Sequence, residues 1–321
     1  MGAFQSPKEW GPLLTAMVTP MNEDGSVNYD EAERLANFLV DEQKNTGLVI
    51  AGTTGESPTL SDKEKAELLS AVLNAVRDKA AVVFGAGTYD TEHSVHMTQA
   101  ATEMGAHGVM LVSPYYNKPN QDGLYAHFRK VAESTDLPVM IYNIQGRTAV
   151  NVQTPTLVRL ASDVPNICAV KEASGNLAQV AEVCASVPEG FRVYSGDDIL
   201  TLPVLSVGGI GVVSVAGHVA GKQIMEMMET FFSSPPPSAG EGQGGGAYAA
   251  AQMSKKLVPL INALFITTNP IPVKYAVSLL GFKTTVYRLP MIPPTDEQKK
   301  AVKGAMREMN LIPAKAAVSP G

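Results

Sequence analysis

The sequence is poor in cysteine and tryptophan and has no long apolar run. Its 321 residues include two cysteines, Cys168 and Cys184, and one tryptophan. Neither cysteine stands in a CxxC or metal-ligand spacing, which predicts buried thiols in a reducing cytoplasm rather than a disulfide framework. Because no run of about eighteen apolar residues and no signal-peptide pattern occurs, we expect a cytoplasmic protein that neither is secreted nor spans a membrane.

An excess of basic residues is also missing. The chain has 25 lysines and arginines against 31 acidic residues, a formal charge of −6. This balance disfavours nucleic acid or an anionic membrane surface as a partner and favours a small-molecule substrate. With 45% hydrophobic residues, the chain is expected to be globular and long enough for one α/β barrel.

Short apolar runs rich in β-branched residues recur along the chain, separated by helix-period segments such as 30–43, 61–79 and 92–104. This alternation predicts an α/β fold, a (β/α)8 TIM barrel. A doubly wound sheet is disfavoured because GAGTYD at 85–90 has Asp90 where a dinucleotide fingerprint needs its third glycine. The eight predicted strands are 12–20, 47–52, 81–87, 108–114, 138–143, 167–172, 191–198 and 211–217.

The chain divides into four predicted parts. The barrel covers 10–232, and the Pro- and Gly-rich stretch 233–247 is expected to form a flexible insert. Residues 248–312 indicate a C-terminal helical appendage with breaks at NPIP and LPMIPP, and 313–321 a loose tail.

A lysine ends the apolar run ICAVKE at 167–172. Lys is seldom fully buried unless it is paired or reactive. At the C-terminal end of a barrel strand, where such enzymes carry their chemistry, an apolar mouth would lower the pKa of Lys171 and make it a Schiff-base amine. The alternative is an ion pair with Glu172 or Asp197.

Other polar residues follow the neighbouring strands. The loop GTTGES offers Thr53, Thr54 and backbone N–H groups to a carboxylate, although it also fits a simple tight turn. Tyr142 is a candidate proton shuttle, linked to Thr54 or Tyr116, or else a wall residue. Tyr116 also fits an interface, and Arg147 either grips a carboxylate or forms a surface ion pair.

Two further motifs, which would indicate a phosphate site or a metal site, are weaker signals. GGIG at 208–211 resembles a phosphate loop, but it precedes the eighth strand and so is predicted to be a turn at the opposite end of the barrel. His93 and His96 are one helical turn apart on a predicted outer helix without an HExxH pattern. We therefore expect no metal site.

Taken together, GTTGES, PYYNKP, YNIQGRT, VKEASGN, YSGDD and NPIPVK resemble the 4-hydroxy-tetrahydrodipicolinate (dihydrodipicolinate) synthase family of pyruvate-dependent class I aldolases, over about residues 10–312. The resemblance implies a lyase in which Lys171 forms a Schiff base with pyruvate, whose carboxylate Thr53 and Thr54 hold. The enamine would attack L-aspartate 4-semialdehyde in the diaminopimelate branch of lysine biosynthesis, and the adduct would cyclise.

The resemblance also implies roles for further residues. Tyr142, Thr54 and Tyr116 would form a proton relay, with Tyr116 supplied by the adjoining subunit of a homotetramer, and Arg147 would bind the semialdehyde carboxylate. Gly196 and Val213 are implied as substrate-binding residues. No cofactor is implied beyond the covalent pyruvate.

The sequence departs from the family at several points. Gln145 stands where the family commonly has proline, which predicts a more flexible loop around Arg147. Lys65, Tyr89 and His93 replace the histidine, asparagine and glutamate of members inhibited by lysine, so we expect weak or absent feedback by lysine. A sialic-acid or sugar-acid aldolase and a non-catalytic keto-acid-binding barrel stay as alternatives, and the misplaced GGIG disfavours a phosphate- or flavin-binding barrel.

Overall fold

The computed structural model describes residues 10–233 and 245–313. Eight strands in these ranges form a closed parallel barrel in sequence order, with the eighth paired to the first, and this confirms the predicted TIM barrel. The strands are β1 Leu13–Ala16, β2 Gly47–Ile50, β3 Ala81–Gly85, β4 Gly108–Val112, β5 Val139–Asn143, β6 Ile167–Glu172, β7 Arg192–Ser195 and β8 Gly211–Ser214.

Helices follow the strands and surround them. Several of these helices begin at side-chain caps: Ser61 and Glu64 form a reciprocal capping box, and Asp90, Asn120 and Asn176 accept hydrogen bonds from the first turns that they precede. The helices are α1 Tyr29–Asp41, α2 Asp62–Val76, α3 Thr91–Glu103, α4 Gln121–Ala132, α5 Gln145–Thr148, α6 Thr154–Asp163, α7 Leu177–Ser186, α8 Thr201–Ser206, α9 Gly217–Ser233, α10 Gly245–Leu264, α11 Ile271–Ser278 and α12 Asp296–Glu308.

The interior of the barrel is a separate apolar core. Alternate residues of the strands fill it, among them Val49, Met140 and Ala169. The indole of Trp10 closes the lower end and donates to the carbonyl of His107 at 3.1 Å. Because Lys171 lies two residues beyond Ala169 on the same strand, its side chain enters the barrel above this apolar floor.

The C-terminal helices α10, α11 and α12 form the helical region that the sequence predicts beyond the barrel. The expected flexible insert falls mainly on 234–244, outside the described residues, and Gly245–Ala247 already belong to α10. Of the expected tail at 313–321, residues 314–321 also lie outside them. In the described part of the chain, no helix has the length and apolar character needed to cross a membrane.

Candidate active site

Lys171 lies almost completely buried at the end of β6. Only 5% of the residue is exposed, and its Nζ lies 4.1 Å from the centre of the Tyr142 ring on the neighbouring strand. Burial lowers the pKa of Lys171 to about 7; the carboxylate of Asp198 opposes this shift and the guanidinium of Arg147 adds to it. A large fraction of this amine is therefore neutral, and nucleophilic, near neutral pH.

The carboxylates that the sequence offered as ion-pair partners are engaged elsewhere. Glu172 accepts from the side-chain amide of Asn143 at 3.0 Å and from the backbone N–H of Ser174 at 2.8 Å. The side chain of Asp197 accepts from the backbone N–H of Ile199 at 3.3 Å. These contacts favour the reactive-amine interpretation of Lys171 over the ion-pair interpretation.

The phenol of Tyr142 shares this buried site. The residue is 4% exposed, and burial raises its pKa to about 12, so it stays protonated at neutral pH. The side chain of Thr53 lies close enough to the phenol to act as a hydrogen-bond partner that lowers its pKa, against the larger effect of burial. The sequence offered Thr54 or Tyr116 as the link, and that relay stays a prediction.

Thr54 is buried and faces the C-terminal region instead. Its hydroxyl oxygen accepts a hydrogen bond from Nδ2 of Asn269 at 2.9 Å. Nothing in the local sequence marks Asn269 as a site residue, since 215 residues separate it from its partner. The only signal was its place in the motif NPIPVK.

Arg147 lies on α5, at the mouth of the site. The loop that was predicted to be flexible therefore contains a turn of helix, which begins at Gln145. Its guanidinium is exposed and donates to the backbone carbonyl of Asn269 at 3.3 Å. Arg147 and Tyr142 line a cleft with a volume of about 200 Å³, which suits a substrate smaller than a drug-sized ligand. Other lining residues are Ala51, Thr53, Met110 and Ile144.

Gly196 lies against the lysine, and Val213 lies in the interior of the barrel. A Cβ on Gly196 would stand 2.6 Å from Cβ of Ala173 and 3.0 Å from Cγ of Lys171, so only glycine leaves room for the lysine stem. Val213 is buried in the inner core of the barrel together with Tyr142. Gly196 therefore borders the reacting lysine, and the contact of both residues with substrate stays a prediction.

Asp198 is a further buried group that the sequence analysis did not select. Its carboxylate accepts from the backbone N–H groups of Val215 at 2.8 Å and Ala216 at 3.1 Å, and from the hydroxyl of Ser214. These bonds tie the loop after β7 to the end of β8. Through space, its negative charge keeps the pKa of Lys171 from falling further.

Tyr116 does not reach the site of its own chain. Its side chain is 93% exposed, and its backbone has a φ of 71°, an uncommon conformation for an aromatic residue. Left-handed residues of this kind persist only where the surroundings or the function require them. The structure therefore presents Tyr116 outward, where a second subunit could receive it.

The two weaker motifs lie away from the amine. Gly208, with a φ of 107°, lies in the turn that leads into β8, at the end of the barrel opposite Lys171. Nε2 of His93 is paired with Oδ2 of Asp62 at 2.9 Å. Across residues 10–233 and 245–313, no three His, Cys, Asp or Glu side chains are grouped so that they could hold a metal ion.

The model of the Dihydrodipicolinate synthetase family matches residues 9–309. The 4-hydroxy-tetrahydrodipicolinate synthase of Desulforamulus reducens is 50% identical over 96% of this chain and 100% of its own length. That of Moorella thermoacetica is 47% identical over 95% of this chain and 100% of its own.

Solved structures agree with these relatives. DHDPS of Cyanidioschyzon merolae, solved with lysine bound, superposes with a TM-score of 0.89 at 42% identity and covers 94% of this chain and 99% of its own. Dihydrodipicolinate synthase of Aquifex aeolicus has a TM-score of 0.88 at 37% identity, covering 95% and 100%. Together with the buried amine at the end of β6, these matches confirm the resemblance: the chain belongs to the dihydrodipicolinate synthetase family.

Proposed function

We propose that this protein is a 4-hydroxy-tetrahydrodipicolinate synthase, a lyase that condenses pyruvate with L-aspartate 4-semialdehyde. The names of its relatives, which match over nearly their full length, support this assignment. The observation that carries the chemistry is the buried amine of Lys171, whose pKa of about 7 makes it a nucleophile near neutral pH.

In the first step, the neutral Nζ of Lys171 attacks the ketone carbon of pyruvate, and loss of water gives an iminium ion. Loss of a methyl proton then gives an enamine, with the electron pair drawn into the iminium nitrogen. The apolar walls around the amine exclude water from this intermediate. The nucleophilic carbon of the enamine attacks the aldehyde carbon, whose oxygen takes up a proton, and the iminium forms again. The amino group of the adduct then adds to the iminium carbon and closes the ring, and the C–N bond to Lys171 breaks, which releases the amine.

Tyr142 is the proposed proton carrier for these steps. Its phenol adjoins Lys171, and with a pKa of about 12 it is in the acid form that can donate. The nearby side chain of Thr53 supports a relay through that hydroxyl, in addition to the relay through Thr54 that the sequence predicted. Tyr116 of an adjoining subunit would complete the relay, which requires an oligomer; we propose a homotetramer.

Thr53 and Thr54 are the proposed ligands of the pyruvate carboxylate, and Arg147 the ligand of the carboxylate of the aldehyde. The exposed guanidinium at the mouth of the cleft suits a bidentate contact with an incoming anion. Gly196 and Val213 border the bound pyruvate. The reaction uses no metal or organic cofactor in this proposal, and it takes place in the cytoplasm.

A comparison of aldehydes tests the assignment. Pyruvate consumption should require L-aspartate 4-semialdehyde and should not respond to N-acetylmannosamine, the aldehyde partner of the sialic-acid alternative. Because the carboxylate of the semialdehyde is the expected partner of Arg147, an Arg147→Met variant should lose affinity for the semialdehyde but keep pyruvate binding. Turnover with the sugar alone would favour the alternative aldolase, and turnover with neither would favour a binding protein.

A further inference from the structure

Two residues of the C-terminal motif NPIPVK contact two residues of the loop GTTGES. Asn269 donates from Nδ2 to the hydroxyl of Thr54 at 2.9 Å, and Lys274 pairs through Nζ with Oε1 of Glu56 at 2.5 Å. All four residues are buried. The proposed function gives this motif no role, although the loop it contacts is the proposed pyruvate carboxylate site.

The GTTGES loop has a conformation that needs such support. Ala51 and Glu56, at its two ends, have φ values of 51° and 58°, in the left-handed region that non-glycine residues avoid. Conformations of this kind persist only where surrounding contacts hold them. Lys274 is fully buried and makes a second bond, at 2.5 Å, to the carbonyl of Val286, so it fixes Glu56 to the C-terminal region.

The contact between Asn269 and Thr54 also fixes the orientation of the Thr54 hydroxyl group. An amide N–H can only donate, so the hydroxyl oxygen of Thr54 accepts from Asn269 and its own proton must point elsewhere. Within the described ranges, this proton has no acceptor, whereas the backbone carbonyl of Asn269 is bonded to Arg147 at 3.3 Å. Asn269 thus contacts two of the three proposed carboxylate ligands, Thr54 through its side chain and Arg147 through its backbone.

From these contacts we propose that Asn269 is a positioning residue: its amide turns the hydroxyl of Thr54 so that this hydroxyl donates to the carboxylate of the 2-keto acid. This inference rests on the proposed function. A hydrogen bond to a charged acceptor that is misdirected weakens binding by about tenfold or more. The chemistry at Lys171 is not expected to depend on this amide once the keto acid is bound.

The test measures the pyruvate concentration that gives half-maximal trapping of the protein by borohydride. Asn269→Leu, which keeps side-chain volume but removes the donor, should raise this concentration about tenfold and change kcat of the condensation by less than about threefold. In a Thr54→Val background the same substitution should have almost no further effect, because the two residues act through one hydrogen bond.

Asn166 provides a matched control. It is a buried asparagine whose Nδ2 donates to the carbonyls of Ala132, Thr135 and Leu137, just before β6 and so at the end of the barrel opposite the site. Asn166→Leu should lower the thermal midpoint and leave half-saturation by pyruvate unchanged. If Asn269→Leu does not fold, Asn269→Ala is used in the same pair of backgrounds.

Each outcome has one meaning. An effect of the Asn269 substitution that is equally large in the wild-type and Thr54→Val backgrounds would overturn the proposal, since Asn269 would then act through packing alone. Unchanged half-saturation in Asn269→Leu would also overturn it. If the wild type itself is not trapped by pyruvate and borohydride, the proposed function fails instead, so the two failures are distinguishable.

Discussion

Replacing Lys171 with methionine should stabilise the fold while abolishing the chemistry. Methionine has nearly the length of lysine and no charge to desolvate. The barrel lowers the pKa of Lys171 from 10.5 to about 7, which means that it disfavours the ammonium form by about 5 kcal/mol. A nucleophile made reactive by burial therefore destabilises the protein that contains it.

The sign of the pH dependence follows from the two pKa values. Between pH 7 and 10.5 the unfolded chain binds a proton at this lysine that the folded chain releases, so the stability of the wild type rises with pH in this window. Below the pKa of Lys171 in the folded protein, the free-energy cost of burying the ammonium group is fully present. The gain from methionine is thus about 4 kcal/mol at pH 7 and about 2 kcal/mol at pH 9, before any change in packing.

Denaturant unfolding of wild type and Lys171→Met at both pH values, at one protein concentration, measures this gain. The difference between the two pH values is the diagnostic quantity, because a change in packing adds the same amount at each. Lys63, whose side chain is 83% exposed, supplies the control: Lys63→Met should show no such difference. A gain in Lys171→Met that is equal at pH 7 and pH 9 would refute the account of the buried amine.

Three further predictions concern the site. The rate of pyruvate trapping should rise with pH through about 7 as Lys171 loses its proton. Because the charge of Arg147 lowers the pKa of Lys171, Arg147→Met should move the midpoint of this rise to higher pH. A shift to lower pH would contradict this effect of Arg147. Gly196→Ala should slow trapping strongly, since the new methyl group meets the lysine stem at 3.0 Å, whereas Gly146→Ala, which meets nothing within 4 Å, should not. Lysine should inhibit weakly or not at all, because Lys65, Tyr89 and His93 replace the residues found in members that lysine inhibits, and inhibition at physiological lysine concentrations would disprove this.

The sequence could predict the barrel because each strand is a short apolar run between polar helices. The predicted run at 167–172 coincides with β6, and Gly47 and Gly211 begin the strands that their runs predicted. The predicted ends are less accurate. The run at 12–20 extends past β1, which ends at Ala16, because the backbone N–H of Val18 donates to Nε2 of His218 at 3.0 Å instead of to a neighbouring strand.

The amine could be selected from sequence because a lysine at the end of a buried strand is unusual by itself. The choice between Thr53 and Thr54 as the neighbour of Tyr142 could not, because both are hydroxyl residues of one loop and only the three-dimensional course of that loop decides which of them meets the ring. Asn269 was out of reach for a different reason. Its partner lies 215 residues away, and only the closure of the C-terminal region over the barrel brings the two together.

The most direct test of the central claim is intact-mass measurement after incubation with pyruvate and borohydride, on wild type and Lys171→Met side by side. A reduced pyruvate adduct on the wild type that is missing from the folded variant is the predicted result, and it would place the Schiff base on Lys171. An adduct of equal yield on both proteins, or none on the wild type, would contradict the assignment of this lysine as the nucleophile.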